Sequence, residues 1–216
     1  MKAYFFSGLG ADKKAFGQLQ FPENIDPVFI DWIQPLPDEP IESYAKRISG
    51  SIDDSQPFIL VGLSFGGIMA TEVIEFVSPH KTILISSVSR RQELPSFFQV
   101  TRFLGIHKTL PVKSVQKGNA FVYCLFGIEK DYQKTLLNEI LVDTDPVFAE
   151  WAIRKIMIWK RESTNTRIVR IHGDNDKMFP IRNFTPDYTI KDGGHFMVID
   201  KAPEISMLMK KIFSSE

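Results

Sequence analysis

The stretch "FILVGLSFGGIMA", Phe58 to Ala70, places one hydroxyl between glycines immediately after an unbroken apolar run. Pro57 to Leu63 reads as a buried strand, and "GGIMATEVIEFV" after the serine reads as a helix. Between them Gly62, Ser64 and Gly66 form G-x-S-x-G. A sharp strand-to-helix turn holds its middle residue in a strained backbone conformation and crowds the positions two residues away on each side, which glycine relieves. Such a turn pushes Ser64 Oγ out at the carboxyl end of a sheet, where open α/β sheets bind ligands. It also leaves the Phe65 N–H at a helix N-terminus, where negative charge is favoured. A chain of this length with ordinary glycine and serine content contains the pattern by chance roughly once in fifteen, so the rest of the chain has to decide its meaning.

Working outward, five more β-rich runs predict strands: Lys2 to Gly8, Pro27 to Trp32, Lys81 to Ser87, Thr166 to Gly173 and Asp187 to Gly193. Their apolar character is continuous rather than alternating, as expected of strands buried on both faces of a mostly parallel sheet. Ala11 to Gln20, Ile41 to Ile52, Gly67 to Val77 and Ala202 to Phe213 show helical spacing. Strand and helix alternate, the pattern of a doubly wound α/β domain with about six strands and helices on both faces. Arg90 to Asn165 interrupts that alternation and is too long for a plain connection. It contains three helical patterns, "LPSFFQVTRFLGIHKTL" from Leu94, "KDYQKTLLNEIL" from Lys130 and "DPVFAEWAIRKIMIWKRE" from Asp145. The segment is expected to be a helical cap, spanning residues 90–165, within a single domain of residues 1–216.

Composition narrows the function classes. The 216 residues carry 26 basic and 26 acidic side chains, so the chain lacks the basic footprint of a nucleic-acid binder. A small neutral or amphiphilic molecule is the expected partner; no oligomeric state follows from the pattern. Cys124 is the one cysteine, which excludes an internal disulfide, a cysteine zinc cluster and a CxxC redox site. No run reaches the length of a membrane span, and the apolar start "AYFF" is shorter than a secretory h-region. A cytoplasmic protein without membrane association is expected.

A serine hydroxyl is a poor nucleophile and needs a base, which in turn needs an orienting acid. Of the four histidines, His80 and His107 sit in polar, surface-like contexts and His172 ends a strand. His195 lies in "KDGGHFMV", a glycine-rich loop between the last strand and the last helix, at the same sheet edge as Ser64. For the acid, "IHGDNDKMFP" offers Asp174 and Asp176 at that edge. The chain order serine, aspartate, histidine is one of the three orders known for such triads. Two backbone donors must face the oxyanion of acyl transfer. Phe65 supplies one, and "SGLGAD" after the first strand is the natural source of the other, at Leu9. A dinucleotide loop is the rival reading of "GLG", but G-x-G-x-x-G requires glycine where Lys13 stands.

With these parts in hand, "GLSFGG", "HGDNDKMFP" and "GGHF" resemble the nucleophile elbow, acid loop and histidine loop of the α/β-hydrolase superfamily, over essentially the whole chain. The resemblance implies an α/β-hydrolase fold and a triad of Ser64, Asp176 and His195, with the acid in G-x-x-D from Gly173 to Asp176. It implies no cofactor and no metal. The implied activity is carboxylesterase-like, cleaving a small ester, thioester or related carbonyl compound through an acyl-enzyme on Ser64. The same triad also serves acyltransferases and carbon–carbon bond hydrolases, and the fold serves ligand-binding proteins with little turnover. Two departures stand out: Met1 leads directly into the first expected parallel strand, which an antiparallel hairpin often precedes, and the usual H-G pair before the oxyanion loop is Ser7-Gly8. In the cap, Phe97, Phe98, Phe103, Phe121, Tyr123, Phe126, Trp151 and Trp159 are expected mainly to pack its core, with some facing an acyl pocket. Lys108, Lys113 and Lys117 are candidates to meet a substrate carboxylate or phosphate.

Overall fold

Side chains alternate across the first strand, β1 (Lys2–Phe6), sending Ala3 and Phe5 to one face and Tyr4 and Phe6 to the other, all buried. A strand apolar on both faces needs cover on both, and the computed structural model provides it. It describes residues 1–9, 11, 13–98, 118–164 and 167–214. The other strands are β2 (Asp26–Ile30), β3 (Phe58–Leu63), β4 (Lys81–Ile85), β5 (Ile168–Gly173) and β6 (Tyr188–Ile190). All neighbours pair in parallel, in the order β2-β1-β3-β4-β5-β6. The six expected strands and the parallel sheet are all present.

One face is covered by α1 (Ile41–Ser49) and α2 (Phe65–Val73), with Tyr44, Ile48, Ile68 and Met69 packed on Tyr4, Phe58 and Leu60. The other is covered by α6 (Met197–Asp200) and α7 (Ala202–Ser214), whose Met197, Ile205, Met209 and Ile212 meet Phe5, Ile59, Val61 and Ile83. Burying one such side chain stabilises the fold by roughly 1.5–3 kcal/mol, which makes this double cover the main source of cohesion.

The helix expected from Ala11 to Gln20 shrinks to a 3-10 turn at Lys13–Phe16. Gly17 closes it by donating to Lys14 O, and the Phe16 ring reaches Phe5 and Phe29 on the sheet. Tertiary packing of aromatics has overridden the helical spacing here.

Between β4 and β5 lie α3 (Ala120–Phe126), α4 (Asp131–Asp143) and α5 (Pro146–Ile158). The Asp-Pro start functions as expected, since Asp145 Oδ1 accepts the Phe148 N–H at 2.8 Å and Pro146 takes the first helical position. Both ends of this segment are rooted in the body of the protein. Arg91 N–H donates to Arg161 O at 2.7 Å, the Trp159 indole donates to buried Glu72 at 2.7 Å, and Arg170 meets buried Glu93 at 2.8 Å. The buried residues of α5 join the α1–α2 side and those of α4 the α6–α7 side, so the helices straddle the carboxyl edge of the sheet. No helix among the described residues is long and apolar enough to cross a membrane.

The strand order places the switch point between β1 and β3, because the chain leaves β1 toward β2 and then returns past it to β3. Loops leaving those two strands diverge, opening the crevice in which such sheets bind ligands.

Candidate active site

Ser64 sits at that crevice, between β3 and α2, with φ 52° and ψ −119°. A non-glycine residue in this region costs on the order of 1–3 kcal/mol and persists only where its surroundings enforce it. They do so here. A Cβ at Gly62 would stand 2.4 Å from Gly67 Cα, and one at Gly66 would stand 2.2 Å from Phe6 O, so neither flank admits a side chain. The Ser64 N–H donates to Ile85 O at 3.0 Å, and Ser87 Oγ donates to Ser64 O at 2.6 Å, fixing the strained peptide from both sides.

The enforced turn aims Ser64 Oγ at His195 Nε2, 2.8 Å away. His195 Nδ1 lies 2.9 Å from Asp176 Oδ2. A nitrogen facing a carboxylate carries the hydrogen, so the tautomer is Nδ1–H with the Nε2 lone pair toward the serine. The imidazole is held edge-to-face between Phe126 and Phe179, with centroids at 5.1 and 5.3 Å. Its loop is tied to the end of α3 by the Phe196 N–H, which donates to Phe126 O at 3.1 Å.

Asp176 is buried, and its Oδ1 accepts the N–H groups of Met178 and Phe179 at 2.9 and 2.8 Å. Burial alone pushes its pKa up, but the electrostatic attraction of the adjacent His195 and the hydrogen bonds of His172 and His195 outweigh that and hold the carboxyl well below the usual range. Asp174, its rival in sequence, is exposed. Of the other histidines, His80 is exposed and His172 is fully buried beside Asp176.

The β1 loop comes next to the serine, where a Cβ on Gly8 would stand 3.7 Å from Ser64 Cβ. Leu9 lines the same cavity as Ser64, Phe65 and His195, and the Phe65 N–H, at the first position of α2, precedes any carbonyl that could accept it within the helix. Ser7, in place of the more usual histidine, braces this loop. Its Oγ donates to Ala11 O and accepts from Trp32 Nε1 at 3.0 Å. Neither Trp32 nor Ser87 stands out in the sequence, because each acts through one contact with a residue distant along the chain.

Above Ser64 and His195 opens a cavity of about 430 Å³. Its described lining contains no charged residue, and only Ser64, Asn119 and His195 bring polar side chains. The walls come from α3 (Val122, Phe126), α4 (Leu137, Ile140) and α5 (Ile153, Met157). Of the aromatics singled out in the sequence, Phe97, Phe98 and Phe126 face it. Trp151 and Trp159 instead pack inward, their indoles bonded to Glu39 O and Glu72. Tyr123 pairs with Asn138. Phe103, His107, Lys108, Lys113 and Lys117 lie outside the described residues, as does the Phe121 side chain. Among the described residues no group of three or more metal-ligating side chains comes together.

No protein-family model matches the chain, and no curated protein sequence matches it. Solved structures do. A hydrolase from Oleispira antarctica superposes with a TM-score of 0.76 at 12% identity, covering 100% of this chain and 91% of its own. An esterase from Exiguobacterium antarcticum gives 0.70 at 15% identity, with 100% and 92% covered. A bromoperoxidase from Bacillus anthracis gives 0.67 at 14% identity, with 99% and 90% covered. At such identities the likeness speaks to architecture. Together with the parallel six-stranded sheet and its strand order, it establishes that the chain has the α/β-hydrolase fold.

Proposed function

We propose that this protein is a serine hydrolase that cleaves an ester or thioester of an apolar acyl group through an acyl-enzyme on Ser64. The observation that carries the reading is the unbroken line from Ser64 Oγ through His195 to Asp176 at the floor of an uncharged cavity. Esterases among the structural neighbours agree with it.

In this reading His195 Nε2 takes the Ser64 proton as Oγ attacks the carbonyl carbon. The backbone N–H groups of Leu9 and Phe65 receive the oxyanion. His195 then protonates the departing alcohol or thiol, and the acyl group stays on Ser64. Water enters, gives a proton to His195 and attacks the acyl carbon; the bond to Ser64 Oγ then breaks, His195 returns the proton to Oγ, and the carboxylic acid leaves. Asp176 holds the productive tautomer and stabilises the imidazolium. The three described helices between β4 and β5 act as part of the cap that selects the acyl group. A panel of esters and thioesters of graded acyl length, assayed with and without added alcohol or amine acceptors, tests this. Free acid as the main product supports hydrolysis; acyl transfer to the acceptor as the main product replaces it with a transferase.

Two substitutions probe the parts separately. Ser7→Ala strands the Trp32 N–H and frees the loop that carries Leu9, so kcat is expected to fall by about tenfold with little change in KM, since one oxyanion donor is worth more than that. An unchanged kcat removes Leu9 from the oxyanion role. Ile153→Trp fills the cavity from α5, and the ratio of kcat/KM for long over short acyl esters is expected to fall by at least about tenfold. Labelling of Ser64 by a small fluorophosphonate should hardly change; equal losses in both would assign α5 a supporting role only.

A further inference from the structure

The geometry points to His172 as a positioning residue for the triad acid, a second imidazole that meets Asp176 at the same oxygen as His195. The inference rests on the serine-hydrolase reading above.

His172 lies on β5, paired with Thr189 of β6, and the strand's alternation sends Ile171 to one core and the imidazole to the other face. It is fully buried, with the Phe184 ring perpendicular to it at 4.9 Å. Its Nε2 is 2.8 Å from Phe179 O and 3.1 Å from Asp176 Oδ2, both acceptors. That nitrogen therefore carries the hydrogen. It donates principally to Phe179 O and presents the same positive edge to the carboxylate.

The consequence is a closed loop of bonds. Asp176 Oδ1 reaches forward to the N–H groups of Met178 and Phe179, while His172 reaches across to the carbonyl of the same Phe179. Backbone and side chain of the acid turn are thereby fixed at both ends, leaving Oδ2 one orientation, toward His195 Nδ1. The price is visible in the same ring, since His172 Nδ1 is buried with no hydrogen-bond partner among the described residues. An apolar side chain would fill the space without that cost, so packing does not account for an imidazole here. Holding Oδ2 does.

Two substitutions separate positioning from support. His172→Phe keeps a ring and removes the N–H, whereas His172→Gln places an amide N–H near the position of Nε2. For His172→Phe, kcat on a reactive ester is expected to fall about 10- to 100-fold, the worth of a hydrogen bond to a charged group, with KM nearly unchanged. For His172→Gln, kcat should stay within about threefold of the wild type. Rescue by glutamine marks positioning; equal losses in both variants, or none in His172→Phe, overturn it. The unaltered protein gives an independent check, because nitrogen-15 NMR should find His172 as the Nε2–H tautomer, and the Nδ1–H tautomer contradicts that role. A wild type that fluorophosphonate does not label at Ser64 removes the underlying reading as well, whereas normal labelling with an unaffected His172→Phe overturns this inference alone.

Discussion

Ser64→Ala is expected to lower kcat by about 10⁶ and to leave the fold as it is, since loss of the nucleophile in a serine triad costs a factor of that order. The variant keeps the same backbone at φ 52°, because Gly62, Gly66 and Ser87 enforce that turn whatever the side chain. The Oγ lost makes a single side-chain hydrogen bond among the described residues, with His195 Nε2. Thermal unfolding should therefore move little while turnover disappears. Binding of uncleaved ester should survive, because the cavity walls from α3, α4 and α5 are untouched. Turnover within about tenfold of the wild type would place the nucleophile elsewhere.

The second large effect distinguishes two neighbouring aspartates. Asp176→Asn is expected to lower kcat by about 10⁴, and Asp174→Asn by at least tenfold less. The structure gives the reason in terms of donors. Asp176 accepts on Oδ1 from two backbone N–H groups and on Oδ2 from His195, with His172 beside it. Asparagine has one acceptor oxygen, so in either orientation its NH₂ faces donors. With the oxygen toward Met178 and Phe179, the NH₂ drives His195 into the Nε2–H tautomer, which cannot accept the serine proton. Asp174 is exposed and outside this network, so its amide analogue has nothing comparable to disturb. Steady-state kinetics on both variants, with folding checked by circular dichroism, decides between them. The pH dependence follows with the same sign. Burial raises and the two histidines lower the Asp176 pKa, with a net depression, so its stabilising contribution is present above about pH 4 and lost only as pH falls through the depressed value. The acid limb of kcat/KM should accordingly carry no contribution from Asp176 until the pH falls through that depressed value.

Legibility in the sequence followed the range of the interactions. All six strands were readable because each is a short continuous apolar run, a local signal. That Ser64, Asp176 and His195 come together was readable because each follows a strand at the carboxyl edge and sits among glycines or turn residues. The failures are non-local. The 3-10 turn at Lys13–Phe16 carries helical spacing, but its Phe16 packs into an aromatic cluster on the sheet. Ser7 replaces a familiar histidine, and only the fold brings Trp32 to its oxygen. His172 looks like any residue ending a buried strand until Asp176 turns back over it. Its spacing, four residues before the acid in "HGDND", was the available hint.

Everything in the proposed mechanism depends on Ser64 being an activated nucleophile. The most direct test of that activation is intact-protein mass spectrometry after exposure to a fluorophosphonate, followed by peptide mapping of the adduct. One phosphonyl group per chain is expected, on Ser64, and none on Ser64→Ala. An unmodified wild type, or an adduct mapped to any other residue, would contradict it.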